Sequence, residues 1–380
     1  MESLADNMMK LSPSNKRKLI ELDKEFNRLA KLRKDDYGGN DVLNADAEWE
    51  RFIEAKKHGG KYFPVLKVNK NQYDTDDIIP DLKKLYNEFA GFRECFLSKY
   101  YMDVIMWMLH YCQFFIDKEK NKKLIYQDKT LDEKTFDEAL KIISSTKVTP
   151  TGDLHRDKDA KYAADKIKKA LDELGYDWKV VIKNNMMPRM SVDSFGNIKI
   201  SKDAKFSDVD IDSLIAHEVK GHVARRYYGY QTGLYLFVHG LYGRNILDEG
   251  LAIWNSLNLT RKQKPNVLFT IALKYVIVYL FKTRNFCDVY DYLDDLIDKN
   301  YSRKILFKSM IRAKRENRDC SLLGGLADDA EYFYGYKLVK RMDKTERENI
   351  LKYNVGVEQL YDIDNIKKFL DINKFEPLKI

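Results

Sequence analysis

The stretch Leu214-Ile215-Ala216-His217-Glu218-Val219-Lys220-Gly221-His222 decides the reading of this chain. A hydrolytic zinc ion takes three protein ligands and keeps a fourth position open for water. It also needs a carboxylate beside that water to accept a proton. The familiar solution, His-Glu-x-x-His, places two imidazoles one turn apart on one helix face. Here the spacing is one residue longer. Five positions of a regular α-helix advance about 500°, which leaves the imidazoles about 140° apart. That is too far for one ion. A π-bulge can absorb an inserted residue, and Gly221, with no Cβ, eases the distortion. The spacing therefore predicts a π-type irregularity between His217 and His222.

The flanks turn the motif inward. Ile211, Leu214, Ile215, Val219 and Val223 form an apolar stripe, and Glu218 falls on or near it. A carboxylate buried without a partner is costly, which favours Glu218 as a general base beside a metal site over a chance motif on a solvated helix. The third ligand is expected on a following helix. Asp248-Glu249-Gly250-Leu251-Ala252 begins such a segment, with Glu249 the preferred ligand. Asp248 reads as a helix N-terminal residue that complements the dipole. His239, on the intervening segment, is the competing third ligand, although its neighbours Phe237, Val238 and Leu241 give it the look of a core histidine. His58, His110 and His155 have no metal-like spacing.

Upstream of the motif lies the clearest strand signal. Trp178–Lys183, Arg189–Val192 and Asn197–Ser201 are short, β-branched and separated by turn residues, with a hairpin turn expected at 194–197. Elsewhere the apolar residues recur at helical spacing. Helices are expected over 12–32, 45–58, 81–117, 131–145 and 160–174, then over 208–228, 230–242, 246–260, 266–283, 286–299, 302–316, 328–342 and 357–372. The expected fold is mainly α with a small antiparallel β-sheet (α+β). Its core is zincin-like, with the metal-binding helix following a β-hairpin. A break near 146–157 divides a helical N-terminal region, 1–150, from a catalytic domain, 151–380.

Composition removes several classes of function. With 44% hydrophobic and 13% aromatic residues, the 380-residue chain is too apolar for intrinsic disorder. The net charge of +8 comes from 67 basic residues interspersed among 59 acidic ones. With no long basic block, no nucleic-acid partner is expected, although an acidic substrate suits the balance. The four cysteines form no CxxC pair, so neither a zinc ribbon nor a disulfide framework is indicated. The longest apolar run, 267–281, is too short for a bilayer span and contains Lys274. No secretory signal is visible, and the expected location is the cytoplasm.

The run 214–222, then Gly229-Tyr230-Gln231, then Asp248-Glu249-Gly250-Leu251-Ala252, resembles the QEGLA-motif family that includes the microtubule-associated tyrosine carboxypeptidases. That family has a His-Glu-x-x-x-His helix, an Asn-Gly-x-x-Gln segment and a Glu-Gly-Leu-Ala helix in this order. Asp329-Ala330-Glu331-Tyr332-Phe333-Tyr334-Gly335 resembles its lysine-aspartate, tyrosine and glycine stretch. The resemblance covers about 186–340. It implies a single Zn2+ held by His217, His222 and Glu249, with Glu218 as general base, and removal of a C-terminal residue, often aromatic, from a protein or peptide. Asp248 stands where the family has Gln, and Tyr228 where it has Asn. The form His-Glu-x-x-Gly-His is also similar to dipeptidyl peptidase III, which gives an aminopeptidase-like alternative. A basic binding module with an inactive site is a third reading.

Two further groups are required by a carboxypeptidase. A donor must meet the tetrahedral oxyanion, and Tyr332, Tyr334 and Arg318 are candidates. A cation must meet the terminal carboxylate, for which Arg suits by its bidentate geometry. Arg189, beside the expected edge strand, is a candidate there.

Overall fold

The computed structural model describes residues 8–32, 42–68, 78–117, 125–126, 130–148, 156–184, 186, 188–193, 196–260 and 266–379. The chain enters through helices α1 (Pro13–Leu32), α2 (Ala45–Lys57), α3 (Ile79–Ala90) and α4 (Ser98–Asp117), then strand β1 (Ile125–Tyr126) and helix α5 (Glu133–Ser145). The pattern expected as one helix over 81–117 is two. Gly91 follows α3, and turn-type bonds from Phe92 to Phe89 and from Cys95 to Phe92 carry the chain to α4. Phe92, Cys95 and Leu97 are buried in that connection, so apolar spacing continues where the helix stops.

Helix α6 (Ala160–Leu174) begins on an Asp159 cap and ends at Gly175 with φ 72°, a left-handed stop that glycine takes without strain. Strands β2 (Lys179–Lys183), β3 (Met190–Val192) and β4 (Asn197–Ser201) follow. The sheet is mixed rather than antiparallel as expected. Its order is β2-β4-β3, with β3 antiparallel and β2 parallel to β4. Alternation of apolar residues is the same for either direction, so direction is not legible in it. Residues 194 and 195 of the expected hairpin turn lie outside the described residues.

Ile198 and Ile200 of β4 face Ala163, Ile167 and Leu171 of α6 on one side of the motif helix and share a core with its Val219 and Val223. Both valines are wholly buried. Each contributes about 1.5–3 kcal/mol of burial, which offsets the poorer geometry of the distorted helix they sit on.

The chain then passes through α7 (Asp208–Leu214), the motif segment Ile215–Val223, α8 (Ala224–Gln231) and α9 (Tyr235–His239), described with the site, and on to α10 (Arg244–Thr260), α11 (Val267–Phe281), α12 (Phe286–Leu296), α13 (Arg303–Lys314), strand β5 (Gly325–Leu326), α14 (Asp328–Arg341), α15 (Lys344–Tyr353) and α16 (Ile363–Asn373). Strand β5 pairs in parallel with β1, a second small sheet that was not expected. Helix α15 was not expected either, because Ile350 is its one fully buried apolar side chain and the surrounding sequence is almost wholly polar. The apolar run 267–281 is a buried helix, and no helix among the described residues is long and apolar enough to cross a membrane. All four cysteines are free and buried.

Residues before and after position 150 share cores. Phe52, Ala139 and Ile143 join Ile271, Tyr275 and Phe307. Phe26, Phe89 and Tyr101 join Leu236, Leu247 and Phe369. Most of the expected break, residues 149–155, lies outside the described residues.

Two glycines set the spacing at the centre. Helix α10 packs between the motif helix and α14. A Cβ on Gly250 would lie 2.4 Å from the Gly335 backbone, and one on Gly335 would lie 1.9 Å from the Ile246 carbonyl oxygen. Neither backbone can yield locally. Gly335→Ala is therefore expected to cost about 3 kcal/mol, the upper end for overpacking, read as a lowered denaturation midpoint in guanidinium. An unchanged midpoint would show that the two helices can separate freely.

Candidate metal centre

Ser207 opens the motif helix with a reciprocal cap: its side chain accepts from the Asp210 N–H, while the Asp210 carboxylate accepts from the Ser207 N–H. Helix α7 (Asp208–Leu214) runs directly into a π-helix, Ile215–Val223, which continues as α8 (Ala224–Gln231). The π segment spans the whole motif. With i→i+5 bonding a turn takes roughly one residue more than in an α-helix, so residues five apart stack. The rings of His217 and His222 accordingly lie 5.0 Å apart, centroid to centroid. Gly221 has a second role besides easing the distortion. A Cβ there would meet Ala252 of α10 at 3.0 Å, so its absence lets α10 close on the two imidazoles.

Helix α10 brings Glu249. Its Oε2 lies 3.7 Å from His217 Nε2 and 3.8 Å from His222 Nε2. The three donors all fall within 4.8 Å of one another. Ligands about 2.0–2.1 Å from a tetrahedral zinc sit about 3.4 Å apart, so a small contraction closes the set. Glu249 Oε2 is buried and has no hydrogen-bond partner among the described residues. Leaving such an acceptor unmet is expensive, and a cation at the point shared with the two imidazoles satisfies it. The donor set fits a divalent metal.

The charges around this point are strongly perturbed. Burial, then the neighbouring His222, lowers the His217 pKa to about 3, which keeps that ring neutral. Burial raises Glu218 to about 7, partly opposed by His222. Burial also raises Glu249. His222 goes the other way: burial opposes its charge, but the carboxylates of Asp248 and Glu249 prevail and raise it to about 9.

Asp248 is the residue whose role the sequence did not reveal. Helix α10 starts at Arg244, so Asp248 sits in the second turn rather than at the N-terminus. Its Oδ1 lies 3.0 Å from His222 Nδ1. Its other neighbours are Arg244 Nη1 at 3.3 Å and the buried Arg225 Nη1 at 3.7 Å. A carboxylate on the far nitrogen of a ligating histidine fixes its tautomer and leaves Nε2 for the metal. The available sequence signal was Arg244 four residues earlier, a helical ion-pair spacing.

The other expected residues divide. Tyr332, on α14, interacts electrostatically with Glu249, Arg312, Asp329 and Glu218, and burial holds its phenol well above the usual range. Tyr334, two positions on, faces Asp132 instead. Arg189 pairs with Asp210 at 3.2 Å and stacks on Phe206 at 5.6 Å, tying β3 to the start of the motif helix. Arg318 lies on the loop after α13 with φ 55°, and its carbonyl accepts from Leu66. His239 is not among the metal-capable donors. It ends the short helix α9 (Tyr235–His239), with Nε2 2.8 Å from Asn27 Oδ1 and its ring edge-on to Phe26.

Two cations near the site were not singled out. Lys274 of α11 and Arg312 of α13 converge on Asp329 Oδ1 at 3.4 and 3.0 Å. The signal for Lys274 was one charge inside the 15-residue apolar run of α11.

Among curated proteins, none matches this chain. A family profile described as microtubule-associated tyrosine carboxypeptidase matches residues 121–374, a span that contains the π-helix, Asp248, Glu249, Lys274, Arg312 and Tyr332. The chain therefore belongs to the microtubule-associated tyrosine carboxypeptidase family.

Proposed function

We propose that this protein is a zinc-dependent metallocarboxypeptidase that removes a C-terminal residue, aromatic and most simply tyrosine, from a protein chain. The observation that carries the reading is the convergence of His217, His222 and Glu249 within 4.8 Å, with Glu218 buried on the same π-helix. A zinc ion bound there supplies Lewis acidity toward a carbonyl oxygen and acidifies water. The residues of the chain do the rest. Glu218 takes the proton of the attacking water and passes it to the leaving amine. Asp248 holds His222 in the tautomer that presents Nε2. Strand β3, at the edge of its sheet, offers backbone groups to an extended substrate. An edge strand followed by the ligand helix supports a zincin-like core. The family description supports a microtubule-associated protein substrate and so the cytoplasm, and the net charge of +8 favours an acidic C-terminal tail.

The test has two arms. Purified protein should hold about one zinc per chain by elemental analysis, and it should cut peptides with a blocked N-terminus but not those with a blocked C-terminus. Cleavage of C-terminally blocked peptides would move the reading to an endopeptidase or to the dipeptidyl-peptidase-like alternative. Binding to acidic tails without turnover would leave an inactive module. Zinc uptake also has a proton signature. His222, raised to about 9, is protonated in apo-protein at pH 7 and must be neutral to ligate. Uptake at pH 7 should therefore release at least one proton, most of it from His222 with a further share from Glu218, and the His222 share should shrink as the pH approaches 9, measured by titration calorimetry in buffers of different ionisation enthalpy.

Tyr332 is the side chain best placed to donate to the oxyanion, since it is the candidate within electrostatic reach of both Glu249 and Glu218. Tyr332→Phe is expected to lower kcat by about 10²- to 10³-fold with little change in KM. Tyr334→Phe, two residues away and facing Asp132, serves as the control and should stay near wild type. Equal effects from the two would remove Tyr332 from the site.

A further inference from the structure

A carboxypeptidase must recognise a free α-carboxylate one residue beyond the bond it cuts, a through-space distance of about 3–4 Å between the two carbonyl carbons. The recognising cation must therefore sit beside the metal ligands. Arg189, the residue expected for this, is committed to Asp210. We propose that Arg312, supported by Lys274, is the binding site for the C-terminal carboxylate of the substrate. This assignment rests on the carboxypeptidase reading.

Three features converge on Arg312 and Lys274. First, both lie within electrostatic reach of the ligand Glu249, Arg312 also reaches Tyr332, and Lys274 Nζ lies 4.4 Å from the centre of the Tyr332 ring. They therefore flank the metal centre on the α14 side. Secondly, two cations share one acceptor. Arg312 and Lys274 both reach a single carboxylate oxygen, Asp329 Oδ1. The neighbouring Asp328 is paired with Arg315 at 3.4 Å. A substrate carboxylate supplies a second acceptor to this pair of cations. Thirdly, the geometry is open. Arg312 engages Asp329 through Nε, so among the described residues no partner takes its Nη pair, and its side chain remains 38% exposed. The end-on Nη fork is the surface that binds a carboxylate in bidentate fashion. Asp329 is 2% exposed and anchors both cations from the first turn of α14. It holds them in position without closing the fork.

The experiment compares zinc-loaded wild type, Arg312→Gln, Arg312→Lys and Lys274→Gln on a peptide ending in tyrosine and on the same peptide as its C-terminal amide. Wild type should prefer the free acid. Arg312→Gln should raise KM for the free acid by about 10- to 100-fold, the range for losing a charge-assisted pair, with kcat within a few-fold and the preference over the amide largely gone. Lys274→Gln should do the same more weakly. Arg312→Lys should recover only part of the loss, because a point charge replaces a fork. Affinity for N-acetyltyrosine, by calorimetry, should fall in parallel, while affinity for N-acetyltyrosinamide should not change. If Arg312→Gln does not fold, the Arg312→Lys pattern carries the decision. Variants that lower kcat but keep the wild-type preference for the free acid would overturn the assignment and leave the carboxypeptidase reading intact. Wild type that cuts acid and amide equally would instead remove the carboxypeptidase reading itself. Loss of preference only when an acidic side chain near the terminus is also present would reassign the fork to that side chain, and the proposal would fail.

Discussion

Glu218→Gln is expected to lower kcat by about 10³-fold or more, toward the upper part of the range for a positioned general base, while zinc content stays at one per chain. The substitution keeps the volume and the capacity to hydrogen-bond but removes the capacity to accept a proton. Two features make the expected effect large. The carboxylate is buried, 8% exposed on the π-helix, and the other acids close to it are already committed. Glu249 and Asp248, the nearby carboxylates, are engaged with the histidines. Its pKa also suits the work. Burial raises Glu218 to about 7, near the pH at which a base is strong enough to take a proton and acidic enough to return it. A bound cation would pull that value down. The acid limb of the kcat/KM profile should therefore fall below about pH 7 in wild type, with activity lost as Glu218 protonates, and should vanish in the variant. Activity retained within about three-fold would place the base elsewhere, and loss of zinc in the variant would make the result a ligand-set effect.

What the sequence could disclose follows from which constraints are local. The π-helix was legible because two histidines five positions apart cannot share one ion on an α-helix, a purely geometric contradiction. The strands were legible because β-branched alternation over 178–201 is a short-range pattern. The first expectations to fail were those that depend on a partner far along the chain. Nothing near Arg189 announces that Asp210, 21 positions later, will take its guanidinium. Strand β2 runs parallel to β4 across the edge away from β3, and alternation carries no direction. Arg312 has no unusual neighbours in sequence; its place within reach of Glu249 depends on α14 packing on α10 and α13 packing on α11. Asp248 was misread for a different reason. An acidic pair near a helix start has an adequate local explanation in the dipole, and only the helix boundary at Arg244 removes that explanation.

Asp248 yields the second large effect, and the residue found there in related proteins supplies the sharpest probe. Asp248→Gln is expected to weaken zinc binding by about 10-fold, and Asp248→Ala by about 100-fold, the span reported by removing outer partners of ligating histidines. Glutamine can still present a carbonyl oxygen to His222 Nδ1, so the tautomer that offers Nε2 survives; alanine loses both charge and orientation. The proton signature should move as well. Burial opposes a charged His222, and the Asp248 carboxylate is the largest influence that overrides it, so without Asp248 its pKa should fall from about 9 and zinc uptake at pH 7 should release fewer protons than in wild type. Stability is a separate readout with a separate cause. Arg225 is 1% exposed in its side chain and, with Arg244, is neutralised by Asp248. Removing one partner from a buried ionic group costs about 3–5 kcal/mol, and either neutral replacement incurs much of that cost. The two substitutions should therefore destabilise the apo-protein to a similar degree while differing about 10-fold in zinc affinity. Equal affinities would mean that charge alone, and not the contact with Nδ1, sets the ligand; unchanged affinities in both would release Asp248 from the metal centre and leave it as the counter-ion of Arg225 and Arg244.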